Sequence, residues 1–168
     1  GSAPKGSILR LSEYLHFFFK DSGYQNIIFY DSLRGFYNNY EEEYTKAFAK
    51  LVNAPVDNHT IKCTFKGRNN TASDIAYSAL TQNREASVII MNFASRYIVK
   101  PDNMGQSEVD SFTLLLQASL EAKDVRTENG SILKNLLVLI VNKTNDLPAW
   151  FYLQNPNVKT ITVTYPSR

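Results

Sequence analysis

The chain has a single cysteine, Cys63, in 168 residues. That excludes an internal disulfide framework and a cysteine metal cage, and it suits a reducing compartment, so a cytoplasmic setting is expected. Histidine is almost as scarce. His16 and His59 are the only two, and neither has a second histidine at metal-ligand spacing, so no metal site is expected. Long apolar runs are missing: the longest, Leu136 to Val141, has the length of a buried strand, against the roughly 20 residues that span a bilayer. A net charge of +2 with no dense Lys/Arg patch gives no electrostatic case for nucleic acid. Ser32, Ser95 and Ser107 lack Gly-x-Ser-x-Gly surroundings, which leaves serine nucleophile chemistry without support.

What is present is ordinary globular material, 43% hydrophobic and 20% charged, with ten Phe and ten Tyr to fill a core and to spare for an interface. The length suits one domain. Gly1-Ser2 reads as a cloning scar, so residues 1–6 are expected to be a disordered start and 7–168 are taken as one α/β domain. The abrupt ending at Tyr165-Pro166-Ser167-Arg168 suggests an N-terminal fragment of a longer protein. Four Asn-x-Ser/Thr sequons, at Asn58, Asn69, Asn129 and Asn142, are read as chance in an Asn- and Thr-rich chain.

Ile8, Leu11, Leu15, Phe18 and Phe19 recur at helical spacing and predict a first helix closed by Gly23. Asn26 to Tyr30 is a short apolar strand ended by Asp31. A second helix is expected over about Glu41 to Val52, with acids in its first turn and Pro55 as its stop. Thr60 to Phe65 alternates like a half-buried or edge strand. Thr71 or Ser73 can cap a helix whose apolar face is Ile75, Ala76, Ala79 and Leu80. The strand Ser87 to Phe93 follows, then a loop around Pro101 and Gly105. A long helix over Glu108 to Lys123 carries Val109, Phe112, Leu115, Leu116, Ser119 and Leu120 on one stripe. A polar turn from Thr127 to Ser131 leads to the strand Leu136 to Asn142. Trp150, Phe151 and Leu153 suggest a short helix, and Val158 to Val163 a last strand. Strands alternating with helices argue a three-layer α/β fold: a mainly parallel sheet of about five strands with helices on both faces, Rossmann-like.

The segment Val88-Ile89-Ile90-Met91-Asn92-Phe93, with the helix before it, resembles the part of AAA+ ATPases where an apolar strand runs into an Asp-Glu pair. Leu136 to Thr164 resembles the next two strands of that family, with Asn142, or Asn145, where its polar sensor of the γ-phosphate sits. Asn155-Pro156-Asn157-Val158-Lys159-Thr160-Ile161 resembles the loop and strand that close its core. The likeness covers about half the chain and implies an AAA+ core-like fold. The departures concern the chemistry. A P-loop needs a glycine-rich turn, a Lys for the β/γ oxygens and a Ser/Thr on magnesium. After the first strand stands Asp31-Ser32-Leu33-Arg34-Gly35-Phe36-Tyr37, with no Gly-Lys-Ser/Thr and with an acid that repels phosphate. Asn92 carries no charge for a metal ion, and Phe93 cannot polarise water. Hydrolysis in this domain is therefore not expected: no catalytic residue is assigned, and ATP and magnesium belong, if anywhere, to a downstream domain.

The candidate ligand-binding residues are Asp31, Arg34, Asn92 and Asn142. Asp31 ends a strand where α/β folds place ligand groups, but an Asx turn with Ser32 explains it as well. Arg34 suits an anionic ligand or a neighbouring subunit, or is a solvated loop cation. Asn92 and Asn142 can flank a polar pocket, or be buried amides that satisfy backbone groups. Glu41-Glu42-Glu43 reads as a helix start. Tyr14, Phe17, Phe18 and Phe19 go around more than one helix face, so that helix is either packed on two sides or offers a partner surface. The first expectation is a non-catalytic domain of a larger ATPase, engaged with protein partners or with its own ATPase domain and possible as a homo-oligomer in the full protein. Two alternatives stand: a nucleotide-binding regulator without turnover, and a phosphoacceptor receiver, suggested by Asp31 and Lys143-Thr144 but opposed by the neutral Asn92.

Overall fold

The computed structural model describes residues 4–94, 104–142, 155 and 157–163, with the side chains of the first helix from Ile8 onward. Helix α1 (Pro4–Ser22) leads through Gly23, at φ +101°, into β1 (Asn26–Asp31). Then come β2 (Gly35–Tyr37), α2 (Glu42–Val52), α3 (Ala72–Thr81), β3 (Ser87–Asn92) and α4 (Gln106–Leu120). The small strands β4 (Asp124–Arg126) and β5 (Ile132–Lys134) pair as a separate hairpin before β6 (Leu136–Asn142) and β7 (Val158–Val163). The five-stranded sheet has the order β2-β1-β3-β6-β7, in which only β2 is antiparallel to its neighbour. Pro101, Ser95, Lys143, Thr144, Asn145 and the short helix expected at Trp150, Phe151 and Leu153 lie outside the described residues.

The four parallel strands stand side by side in chain order. Right-handed crossovers that always step in one direction put every connecting helix on the same face. That is where α2, α3 and α4 pack: Phe48, Ala76, Leu80, Phe112 and Leu115 meet Ile28, Tyr30, Ile89, Met91, Leu137 and Leu139. The opposite side chains, Ile27, Phe29, Val88, Ile90, Val138 and Ile140, meet Leu15 and Phe19 of α1. Both faces of the central strands are buried, which is why they read as unbroken apolar runs. Burial of Leu15 and Phe19 contributes on the order of 5 kcal/mol to holding α1.

A polar network completes that attachment. Asn38 follows β2, and its side-chain oxygen accepts the amides of Tyr40 (2.9 Å) and Glu41 (3.0 Å). Its amide nitrogen therefore donates, to the Ile27 carbonyl (2.8 Å) and to His16 Nδ1 (3.1 Å). With Nδ1 accepting, Nε2 carries the proton and donates to Glu41 Oε2 at 2.7 Å. Fully buried His16 is thus a structural tie between α1 and the β2–α2 connection.

Several local expectations are sharpened, and others corrected. Helix α2 begins at Glu42, because Glu41 turns back to His16 and to Lys20 Nζ (2.7 Å), and it ends on Asn53 in the left-handed region before Pro55 is reached. Thr71 rather than Ser73 caps α3, in a reciprocal capping box with Asp74. Thr60 to Phe65 makes no strand: Ile61 alone bridges to Phe36, with bonds of 2.8 and 2.9 Å. Gly35 permits that approach, since at φ +86° a β-carbon there would lie 2.2 Å from the Ile61 carbonyl oxygen. Helix α4 starts at Gln106 and stops at Leu120, whose side chain is exposed. Among the described residues no helix is long and apolar enough to cross a membrane.

Hydrogen bonds from Lys20 and then His16 hold the Glu41 carboxyl below its ordinary value of 4.5. A depressed folded-state pKa stabilises fully above the unfolded value and is lost as pH falls through the folded one. Urea midpoints measured across the acid range should therefore drop below about pH 4.5, and Glu41→Gln should flatten that part of the profile.

Candidate functional site

The carboxyl end of the sheet is where α/β folds present ligand groups. Asp31, Asn92 and Asn142 each stand two residues beyond a side chain of the α1-facing core, namely Phe29, Ile90 and Ile140. Period-two alternation sends all three toward the α1 side.

At Asp31 the chain does not run on into a helix. It turns back through Ser32, Leu33 and Arg34 into antiparallel β2, with Asp31 paired to Gly35. Asp31 Oδ1 accepts the backbone amides of Leu33 (2.9 Å) and Arg34 (2.7 Å). Its Oδ2 accepts Arg34 Nε at 2.8 Å. Two consecutive amides aimed at one anion are what a phosphate-binding turn provides, but here the anion is the chain's own carboxylate. Asp31 is the turn residue of the simpler reading.

Arg34 is likewise engaged. Its Nη2 donates to the Tyr37 hydroxyl at 2.7 Å, and its guanidinium carbon lies 3.8 Å from the centre of the Tyr37 ring, a cation–π contact. Burial first, then the Asp31 carboxylate, push the Tyr37 hydroxyl far above the ordinary phenol range, so it offers no phenolate. Asn92 Oδ1 accepts the Ala94 amide at 2.9 Å and shapes the turn after β3. Asn142 is buried in the β6–β7 register opposite Val163.

A cleft between α1 and this edge brings Arg34 and Asn92 together with Tyr37, Tyr40 and Ser12; Asn142 is not on its lining. Its volume is about 30 Å³, room for a water molecule, whereas small-molecule sites run to roughly 300–1,000 Å³. A larger hollow of about 330 Å³, bordered by Lys20, Gln25, Glu41 and Tyr44, is an open depression at the opposite end of the sheet. The four parallel strands keep chain order, and among the described strands the one step the other way is the short β1–β2 hairpin, whose β2 runs antiparallel.

Other reactive groups are equally quiet. Burial pushes the Cys63 thiol up to about 12, so it carries no thiolate near neutrality. Among the described residues no group of three His, Cys, Asp or Glu side chains could hold a metal ion. The polar residues that sequence reasoning missed serve the fold. Buried Asn135 donates to the carbonyls of Leu80 (3.0 Å) and Gln82 (2.7 Å) and accepts the Ser87 amide (2.9 Å), joining α3, β3 and β6. An asparagine immediately before an apolar strand was the available signal.

Replacing Asp31 removes a charged acceptor from two amides and a guanidinium. Asp31→Ala should cost about 2 kcal/mol of unfolding free energy, and Asn92→Ala less than about 1 kcal/mol, in urea denaturation.

The sequence comparisons agree with this architecture. Residues 2–164 match the model of the family described as AAA+ chaperone, N-terminal Rossmann-like domain. No curated protein and no solved structure matches the chain. A match over nearly the whole length, on a five-stranded, mostly parallel sheet with helices on both faces, makes the assignment plain: the chain belongs to the family of N-terminal Rossmann-like domains of AAA+ chaperones.

Proposed function

We propose that this domain is a non-catalytic part of a larger AAA+ ATPase and that it acts through its surfaces, in assembly, in binding a protein partner or substrate, or in regulating an ATPase domain elsewhere in the protein. The observation that carries this reading is the turn after β1. Its amides are held by the Asp31 carboxylate at 2.7 and 2.9 Å, and the chain reverses into β2 where a phosphate-binding loop would lead into a helix. Asn92 supports it, because a neutral amide supplies no charge to a magnesium ion. Cofactors, on this reading, belong to another domain: ATP and magnesium act there.

The alternatives are less well supported. A nucleotide regulator built on Asp31, Asn92 and Asn142 needs donors for phosphate, and the cleft at that edge holds only about 30 Å³. A receiver-type phosphoacceptor needs a carboxylate at the end of the central strand, where β3 ends in Asn92. Protein partners fit better than nucleic acid or membrane, given the near-neutral charge of +2.

Phosphate release from magnesium-ATP by the isolated domain should stay at the level of buffer alone. Turnover that disappears with Asn92→Ala would remove this reading.

A further inference from the structure

Helix α1 is amphipathic in an unusual way: its inward face holds Leu15, His16 and Phe19, and its outward face is also aromatic. Tyr14 is 64% exposed, Phe17 45% and Phe18 49%, and Tyr14 stacks on Phe18 with ring centres 5.9 Å apart. Phe18, expected in the core stripe, belongs to this outer surface. Single exposed aromatics are normal, but three neighbours along one helix form a patch.

Arg10, Tyr14, Phe17 and Asp21 run straight down that face, separated by four, three and four residues. This is the step of a coiled-coil seam, in which such a stripe meets another helix. The stripe is also symmetric. Reversing it about its midpoint exchanges Arg10 with Asp21 and Tyr14 with Phe17. All four residues are exposed, and neither Arg10 nor Asp21 forms an ion pair among the described residues. Beside the stripe stand Glu13 and Lys20, the latter held by Glu41 at 2.7 Å. Both signs are balanced around the aromatics, unlike the cationic rim of a helix that lies on anionic lipid.

We propose that α1 packs antiparallel against α1 of a second copy of this chain, about a two-fold axis through the middle of the stripe. Arg10 of each copy then faces Asp21 of the other, and Tyr14 faces Phe17, so one surface serves both partners in an isologous contact. The aromatic centre supplies the attraction, and the charged ends set the direction, since a parallel pairing would oppose like charges. A 19-residue helix is about 28 Å long. One helix pair buries less than the roughly 1,200–2,000 Å² of a stable interface, so the contact is weak and concentration-dependent. The proposal rests on the reading of this domain as an interaction module and names its partner.

Sedimentation velocity over about a hundredfold range of concentration tests it, because self-association follows mass action. The unaltered chain should shift from monomer to dimer as concentration rises, and Tyr14→Ser/Phe17→Ser should stay monomeric. Arg10→Asp alone and Asp21→Arg alone should each weaken association, by about tenfold or more for like charges brought face to face. Mixing these two single variants should give a dimer of one with the other, and the double swap Arg10→Asp/Asp21→Arg should dimerise like the unaltered chain. The substituted side chains are exposed, and circular dichroism checks that each variant remains folded. A monomer at every concentration overturns the proposal, as does a dimer indifferent to Tyr14→Ser/Phe17→Ser or a pair of single variants that fails to associate. Binding to phosphatidylcholine–phosphatidylglycerol vesicles without any dimer would also overturn it. None of these results bears on ATP turnover, so the two readings fail independently.

Discussion

Parallel strands laid down in chain order constrain everything else in this molecule. Because each crossover steps the same way across the sheet, α2, α3 and α4 are gathered on one face. The other face, with Phe29, Ile90 and Ile140, is left to the one described helix that precedes the sheet. Two consequences follow. The carboxyl ends of the parallel strands line up along one edge, where the described residues leave a cleft of about 30 Å³. And among the described residues α1 is bound from one side only, which leaves its opposite stripe facing outward.

Carboxamides and carboxylates that a binding site would turn toward a ligand are turned here toward the chain itself. Asp31 closes the β1–β2 turn, Asn92 the turn after β3, Asn38 the junction of β2 with α2, and Asn135 the junction of α3, β3 and β6. Each gives backbone amides or carbonyls a partner within the chain, buried ones at Asn38 and Asn135. On the proposed reading, strand ends that would carry hydrolytic groups serve the fold instead, and the domain acts through its surfaces.

The fold was legible where burial leaves a pattern in the residues. Val88 to Met91 and Leu137 to Val141 are covered on both faces, and their unbroken apolar runs announce them. Helix α3 was marked by a capping residue, Thr71 or Ser73, before its apolar face. The short pieces were hidden. Gly35-Phe36-Tyr37 became a strand only because Asp31 folds the turn back on β1, and no local propensity signals a three-residue edge strand. Thr60 to Phe65 misled for the converse reason: its alternation is real, but beyond Ile61 there is no neighbour to complete a ladder. At the candidate site the residue types were visible and their engagement was not. That the Asp31 carboxylate, and not an external anion, fills the turn depends on the direction of two amides. The role of His16 depended likewise on Asn38 and Glu41, which lie more than twenty residues away and only the fold brings to it.

The central claim is that the turn after β1 is already occupied by its own carboxylate. Amide NMR spectra of Leu33 and Arg34, followed during titration with magnesium-ATP and with pyrophosphate, test it at the atoms concerned. The account predicts that both resonances stay where they are at every ligand concentration. Saturable shifts centred on Leu33, Arg34 and Asn92 would contradict it.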